Sequence, residues 1–296
     1  MQTNTRPRNT RGSRRAIRLT RRGRLALIVT GAVVAGSAVA VPLLRTDDEG
    51  VTRPTSRPTS LSIPEGRRAT QVYGAIDKAL ALPVGTTKKS LATADLKLPN
   101  DAEGNPEGYL FPATYPLGGN PTPQKLLTAM VDTANRKFTG APIAAGAQRN
   151  GLNVYQAVTI ASIVQAEATA KEDMGKVARV IFNRLERGMP LQMDSTLDYA
   201  LGRSTPRTTT EDTRIDSPYN SYQRMGLPPT PIGNPGDEAM RAATNPTPGD
   251  WLYFVTVKPG DTRFTADYAE HRSNVAESDR VEQSLPAEAE PEAAAR

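Results

Sequence analysis

Twenty consecutive uncharged residues, Leu25 to Leu44 (LALIVTGAVVAGSAVAVPLL), constrain this chain more than any other feature. As a helix such a run is ~30 Å long, the thickness of a bilayer's hydrocarbon core. Nine arginines precede it, from Arg6 to Arg24, whereas the far flank opens with Arg45, Asp47, Asp48 and Glu49. The positive-inside rule then keeps residues 1–24 cytoplasmic and exports everything after residue 45. A cleavable signal peptide is the competing reading, because Ala38-Val39-Ala40 matches a small-residue cleavage pattern. The apolar run continues past Ala40, which favours an anchor over 25–44.

That division also explains the charge. The sequence pI is 9.6, which taken alone invites a nucleic-acid partner. Of the 37 basic residues, ten lie within residues 1–45, where there is no acid, which leaves 27 against 31 acids, a balance of −4. The basic character belongs to the tail, and a globular nucleic-acid-binding domain is excluded. Cysteine is absent, so disulfide frameworks, thiol nucleophiles and zinc ribbons are excluded too. With a single histidine, His271, a His-rich metal site is impossible and acid/base chemistry falls to carboxylates.

Pro-rich residues 45–60 read as a polar linker, and the acidic, Ala-rich end as a disordered tail over 278–296. Between them, a short strand from Leu61 to Pro64 leads into a helix over about 68–80, with Val72, Ile76 and Leu80 in register. Residues 98–123 form an irregular Gly, Pro and aromatic loop, followed by a helix from Pro123 to Lys137. Asn153, with Gln156 three residues on, is a capping box for an amphipathic helix carrying Val154, Ala157, Val158, Ala161 and Val164 as its apolar stripe. A helix over 175–187 stops at Gly188, and Trp251–Val257 pairs with Arg263–Thr265 across the Lys258-Pro259-Gly260-Asp261 turn. Helices with a few antiparallel strands make an α+β fold.

Glu167 is the carboxylate singled out by position, since it follows Ile160, Ile163 and Val164 at helical spacing. Beside apolar surface a glutamate keeps its proton toward neutral pH and can act as a general acid; a glutamate at the solvent margin of the same helix is the alternative. Ser217 to Gly236 joins Tyr219 and Tyr222 to Asn220, Gln223 and Asn234 on a proline-stiffened backbone. Aromatic faces with amides suit a sugar, and equally a rigid structural loop. Asn183, Gln192 and Asp194 are candidates for the same cleft, with Asp194 alternatively the N-cap of a helix over 195–201.

Five blocks occur in order: EGYLFPATYPL at 107–117, ASIVQAEA at 161–168, ARVIFNRLERGMPLQMDSTLDYALG at 178–202, SPYNSYQRMGLPPTPIGNPG at 217–236 and NPTPGDWLYFV at 245–255. Together, behind one amino-terminal apolar run, they resemble the MltG (YceG-like) family of endolytic murein transglycosylases over about residues 61–277. The resemblance implies an N-terminal subdomain at 61–120 and a catalytic region at 121–277. It implies cleavage of the β-1,4 bond between N-acetylmuramic acid and N-acetylglucosamine, leaving 1,6-anhydro ends, with peptidoglycan as substrate, peptidoglycan synthases as partners and neither metal nor organic cofactor. It assigns the catalytic carboxyl to Glu167, and the cleft candidates read above, Asn183, Gln192, Asp194, Tyr219, Asn220 and Tyr222, are the expected substrate contacts. A catalytically silent glycan-binding scaffold of the wall-synthesis machinery is the alternative.

The chain departs from the family pattern in three places. The first glutamate of an A-S-I-hydrophobic-E-K-E block is Gln165 here, which removes a two-carboxylate mechanism at that spot. The interval where a LysM-like segment commonly sits holds only the short polar spacer. Asp261-Thr262-Arg263-Phe264 stands where some members have Gly-His-x-Phe, leaving His271 as a structural residue of a terminal helix.

Overall fold

The computed structural model describes residues 58–203 and 208–284, all within one compact unit, Thr55–Arg296. The tail and apolar run at 1–24 and 25–44, most of the linker, and residues 285–296 lie outside the described residues, and no described helix is long and apolar enough to cross a membrane. Val72, Ile76, Leu110 and Tyr115 from the 61–120 segment share one core with Leu127, Ile163 and Ile181.

The elements run β1 (Ser60–Ser62), α1 (Ala69–Ala79), α2 (Thr86–Ser90), β2 (Thr114–Pro116), α3 (Pro123–Phe138), α4 (Ala141–Arg149), α5 (Val154–Glu167), α6 (Met174–Glu186), α7 (Asp194–Ala200), α8 (Asp237–Thr244), β3 (Tyr253–Lys258), β4 (Asp261–Thr265) and α9 (Tyr268–Ser284). Two antiparallel pairs supply the sheet: β1 with β2, Leu61 opposite Tyr115, and β3 with β4, Phe254 opposite Phe264. The α+β expectation holds in this coarse form. Helix α9 continues through 278–284, seven residues into the segment expected to be disordered.

Helix α5 organises the rest. Asn153 Oδ1 accepts from Gln156 N at 2.8 Å while the Gln156 side chain accepts from Asn153 N at 3.0 Å, closing the capping box read from the sequence. The amphipathic reading gives way, however. Every residue from Ala157 to Val164 is buried, so the helix is apolar on all sides and α4, α6, α7 and α8 pack around it. Its two polar core side chains are satisfied locally, Thr159 on Tyr155 O and Ser162 on Thr159 O.

Helix α6 ends as its glycine signal indicates, with Gly188 at φ +60° just beyond it. Gly108 is held for a steric reason as well as a backbone one. At φ +85°, a Cβ there would lie 2.6 Å from Pro231 and 2.9 Å from Val158, so the 107–117 block can seat against α5 only with glycine.

Candidate active site

The last residue of α5 opens onto a cavity of about 1240 Å³. Glu167 forms one wall with Gln192, Asp194 and Tyr222, while β3 and α9 contribute Tyr253, Tyr268, His271 and Arg272 to the other. The volume exceeds that of a typical small-molecule pocket.

Helix α7 fixes the carboxyl. Ser195 donates to Glu167 Oε1 from both its backbone N, at 3.0 Å, and its Oγ, at 2.6 Å. Oε2 has no protein partner among the described residues. Burial pushes the Glu167 pKa above the ordinary value, the two Ser195 bonds offset part of that, and the nearby charges of Asp194 and Asp198 add to it. The result is a carboxyl with one oxygen anchored and the other free to carry a proton into the cleft.

The preceding segment is held taut. Gln192 sits at φ +51°, a left-handed backbone that costs energy outside glycine. Its N donates to Ser221 O at 3.0 Å, and Met193 N donates to Ser221 Oγ at 2.9 Å. Asp194 is exposed and caps nothing; the N-cap of α7 is Met193, and the Asp194 carboxylate instead accepts from the Tyr222 hydroxyl. That bond and burial push the Tyr222 pKa up, burial being the larger cause, so the phenol stays a donor.

Glu167, Gln192, Asp194 and Tyr222 therefore meet in one cleft, and the other three expected contacts do not line it. Asn183 is buried in α6, donating through Nδ2 to Gly249 O and Trp251 O at 3.2 and 2.8 Å, which ties α6 to the approach of β3. Asn220 is fully buried and gathers its own loop, donating to Thr213 O and Ile215 O and accepting from Tyr222 N. Tyr219 bonds Thr230 and packs its ring 4.9 Å from Tyr199. Amides and aromatics in the 217–236 block thus divide between loop construction and the cleft, a division composition does not encode. Gln165 also turns away from the cleft: its Oε1 accepts from Gly236 N at 3.0 Å. His271, placed structurally by sequence, stacks on Tyr253 at 5.0 Å and lines the cavity as well.

Two residues at the site, Ser195 and Arg184, and one buried structural carboxylate, Glu107, went unread in the sequence. Ser195 sits inside a recognised block but carries no signal of its own, since its role depends on where the α5 terminus meets α7. Arg184 looks like a basic residue in the last turn of α6, yet it is 6% exposed and lines the cavity. Glu107 is 3% exposed, accepting from Ala69 N at 2.9 Å and from the Tyr199 hydroxyl at 3.1 Å.

A central helix buried on all sides ends in a desolvated glutamate that lines a polar and aromatic cleft. The chain belongs to the YceG-like family, which matches it over residues 40–277. Over 166 residues it is 40% identical to an endolytic murein transglycosylase of Bacillus subtilis, a stretch covering 56% of this chain and 46% of that protein. It is 37% identical over 177 residues to one from Streptococcus pneumoniae strain D39, covering 58% and 32% respectively. The matched stretch thus spans less than half the length of these curated relatives. A crystal structure of a yceG-like protein from Listeria monocytogenes superposes with a TM-score of 0.64 at 32% identity, covering 73% of this chain and 75% of that one.

Proposed function

We propose that this protein is a membrane-anchored endolytic lytic transglycosylase, cutting the β-1,4 bond between N-acetylmuramic acid and N-acetylglucosamine in nascent peptidoglycan and leaving 1,6-anhydro ends that terminate strand growth. The observation that carries this reading is Glu167, with Oε1 tied by Ser195 and Oε2 free in the cleft. The names borne by the Bacillus and Streptococcus relatives support the substrate class.

Oε2, protonated, gives its proton to the glycosidic oxygen as the C1–O4 bond breaks. The C6 hydroxyl of the same muramyl residue then forms the new bond to C1, and its proton returns to Glu167. Because the nucleophile is intramolecular, proximity replaces the second carboxylate that water-using glycosidases need. Asp194, aimed by Tyr222, supplies negative charge for the oxocarbenium-like transition state. No metal or cofactor enters this scheme.

The apolar run at 25–44 serves as a single-pass anchor in the cytoplasmic membrane, with residues 1–24 inside and the remainder outside, where peptidoglycan synthases work on the same strands. The test uses full-length protein, uncrosslinked glycan strands and mass spectrometry of the products. Internal fragments with anhydro ends that disappear in Glu167→Gln are expected. Hydrated reducing ends would replace the transglycosylase with a hydrolase, and binding without products would return the scaffold reading.

A further inference from the structure

Arg184 is a buried cation left without a counter-charge by its own surroundings. Its Nε donates to Leu252 O at 2.6 Å, and Nη1 donates to Pro190 O, Leu191 O and Gln192 Oε1 at 3.1, 2.9 and 3.0 Å. All four acceptors are neutral. Among the described residues Nη2 has no protein partner and the guanidinium makes no ion pair with a carboxylate.

The cavity that Arg184 lines also carries Glu167, Asp194, Asp279 and Glu282, and none of Glu167, Asp194 and Asp279 is ion-paired to the guanidinium among the described residues. The guanidinium carbon lies 5.1 Å from the centre of the Tyr253 ring, which restrains its plane. Tyr222 is uncharged, and its hydroxyl is already given to Asp194. His271 stacks on Tyr253 with its Nδ1 buried and unpartnered, and burial followed by the Arg184 charge holds its pKa below the usual value, so it is neutral at neutral pH. Arg272 is exposed at the rim.

A desolvated charge without a partner is costly, and a guanidinium with a spare donor facing a cavity is built for an oxyanion. Arg184 also grips the 190–192 segment that leads to Ser195. Tyr222 interacts electrostatically with both Glu167 and Arg184, and the two line the same cavity, so an anion held by Nη2 shares the cleft with the acid. In a fully substituted glycan strand the sugars are neutral, and the carboxylates belong to the peptide on the muramyl residue.

We propose that the Arg184 face of the cleft is a subsite for a peptide-stem carboxylate, which seats a stem-bearing muramyl residue beside Glu167. This rests on the transglycosylase reading for its substrate. Full-length Glu167→Gln protein is titrated calorimetrically with uncrosslinked strands carrying native stems, and with the same strands after their stem carboxylates have been converted to amides. Amidation is expected to weaken binding about ten- to hundred-fold, the range of one charged hydrogen-bonding pair. Adding R184K, which keeps the cation but loses the fork, is expected to reduce the preference, with a thermal melt reporting the fold. Equal affinity for the two strands overturns the subsite, a result that needs no Arg184 variant. Wild-type cleavage of the native strands is followed in parallel. Absent anhydro ends with the amidation effect intact would remove the transglycosylase reading and keep the subsite, whereas cleavage with equal binding does the reverse.

Discussion

Glu107 and Glu167 each stand in a recognised sequence block, and in each burial pushes the carboxyl pKa upward, Glu107 to about 7. Their partners differ. Glu107 spends both oxygens on the fold: Oε1 accepts from Ala69 N at the start of α1, and Oε2 accepts from Tyr199 on α7. It lines no part of the cleft. Glu167 spends one oxygen on Ser195 and keeps the other for the cavity. A raised pKa is therefore common to a structural tie and to the proposed acid, and the unspent oxygen is what separates them.

The largest effect expected is at Glu167. Replacing it with Gln keeps an oxygen for Ser195 and removes the transferable proton, so turnover to anhydro products should fall by about 10²–10⁴-fold. The same variant should melt no earlier than wild type. A carboxyl whose pKa is raised by folding contributes stability at low pH that is lost as it ionises, and Gln has nothing to lose. A melt lowered by several degrees would make Glu167 a second structural tie and dissolve the contrast.

Glu107 should behave in the opposite way. Truncation to Ala strands the Ala69 N–H and the Tyr199 hydroxyl in the core, costing about 2–4 kcal/mol, or roughly 5–15 °C of melting temperature. Glu107→Gln can replace both bonds, and it exposes the linkage. With the folded pKa raised from 4.5 to about 7, the contribution of Glu107 is complete below pH ~4.5 and disappears as pH rises through ~7. The Gln variant should match wild type near pH 4.5 and exceed its stability at pH 8 by about 3 kcal/mol, measured by denaturant titration at both values. A constant difference across that range would mean Glu107 does not titrate with folding.

Much of this contrast was legible in the sequence, and the boundary has a physical cause. Local signals were sufficient for the Asn153 capping box, the Gly188 stop and the β3–β4 turn, because each depends on a few adjacent residues. Helix α4, with the sequence APIAAGAQR, and the short α8 went unread. Their apolar faces are made of alanine and glycine chosen for close approach, Gly146 having no room for a Cβ against Thr244. Glu167 stood out because its own helix announces its burial. Ser195, Arg184 and Glu107 act on groups 28, 68 and 38 residues away, respectively Glu167, Leu252 and Ala69, and no periodicity reports contacts at that range. The same limit explains why Asn183 and Asn220, amides of the right type in the right blocks, are spent on the backbone.

Ser195→Ala sharpens the comparison on a smaller scale. The Ser195 hydroxyl favours the charged form of Glu167, so its loss should raise the carboxyl pKa further and move the alkaline limb of the pH profile for kcat/KM upward. The backbone N–H remains, and about a ten-fold loss at the optimum is expected for one bond to an ionisable group. An unshifted alkaline limb would mean that another group sets it.

Gln165→Glu should do least. The family pattern places a glutamate there, and if a second carboxylate took part in the chemistry, restoring it would raise the rate or change the product. Gln165 lies two residues before Glu167, about 200° around the helix at 3.6 residues per turn, and its Oε1 is held by Gly236 N rather than directed into the cleft. A glutamate can accept that same bond. Turnover should therefore stay within about three-fold, less than one hydrogen bond's effect, with anhydro ends still the product. A large gain, or a switch to hydrated ends, would make the partner lost at position 165 catalytic and leave Glu167 as half of a pair.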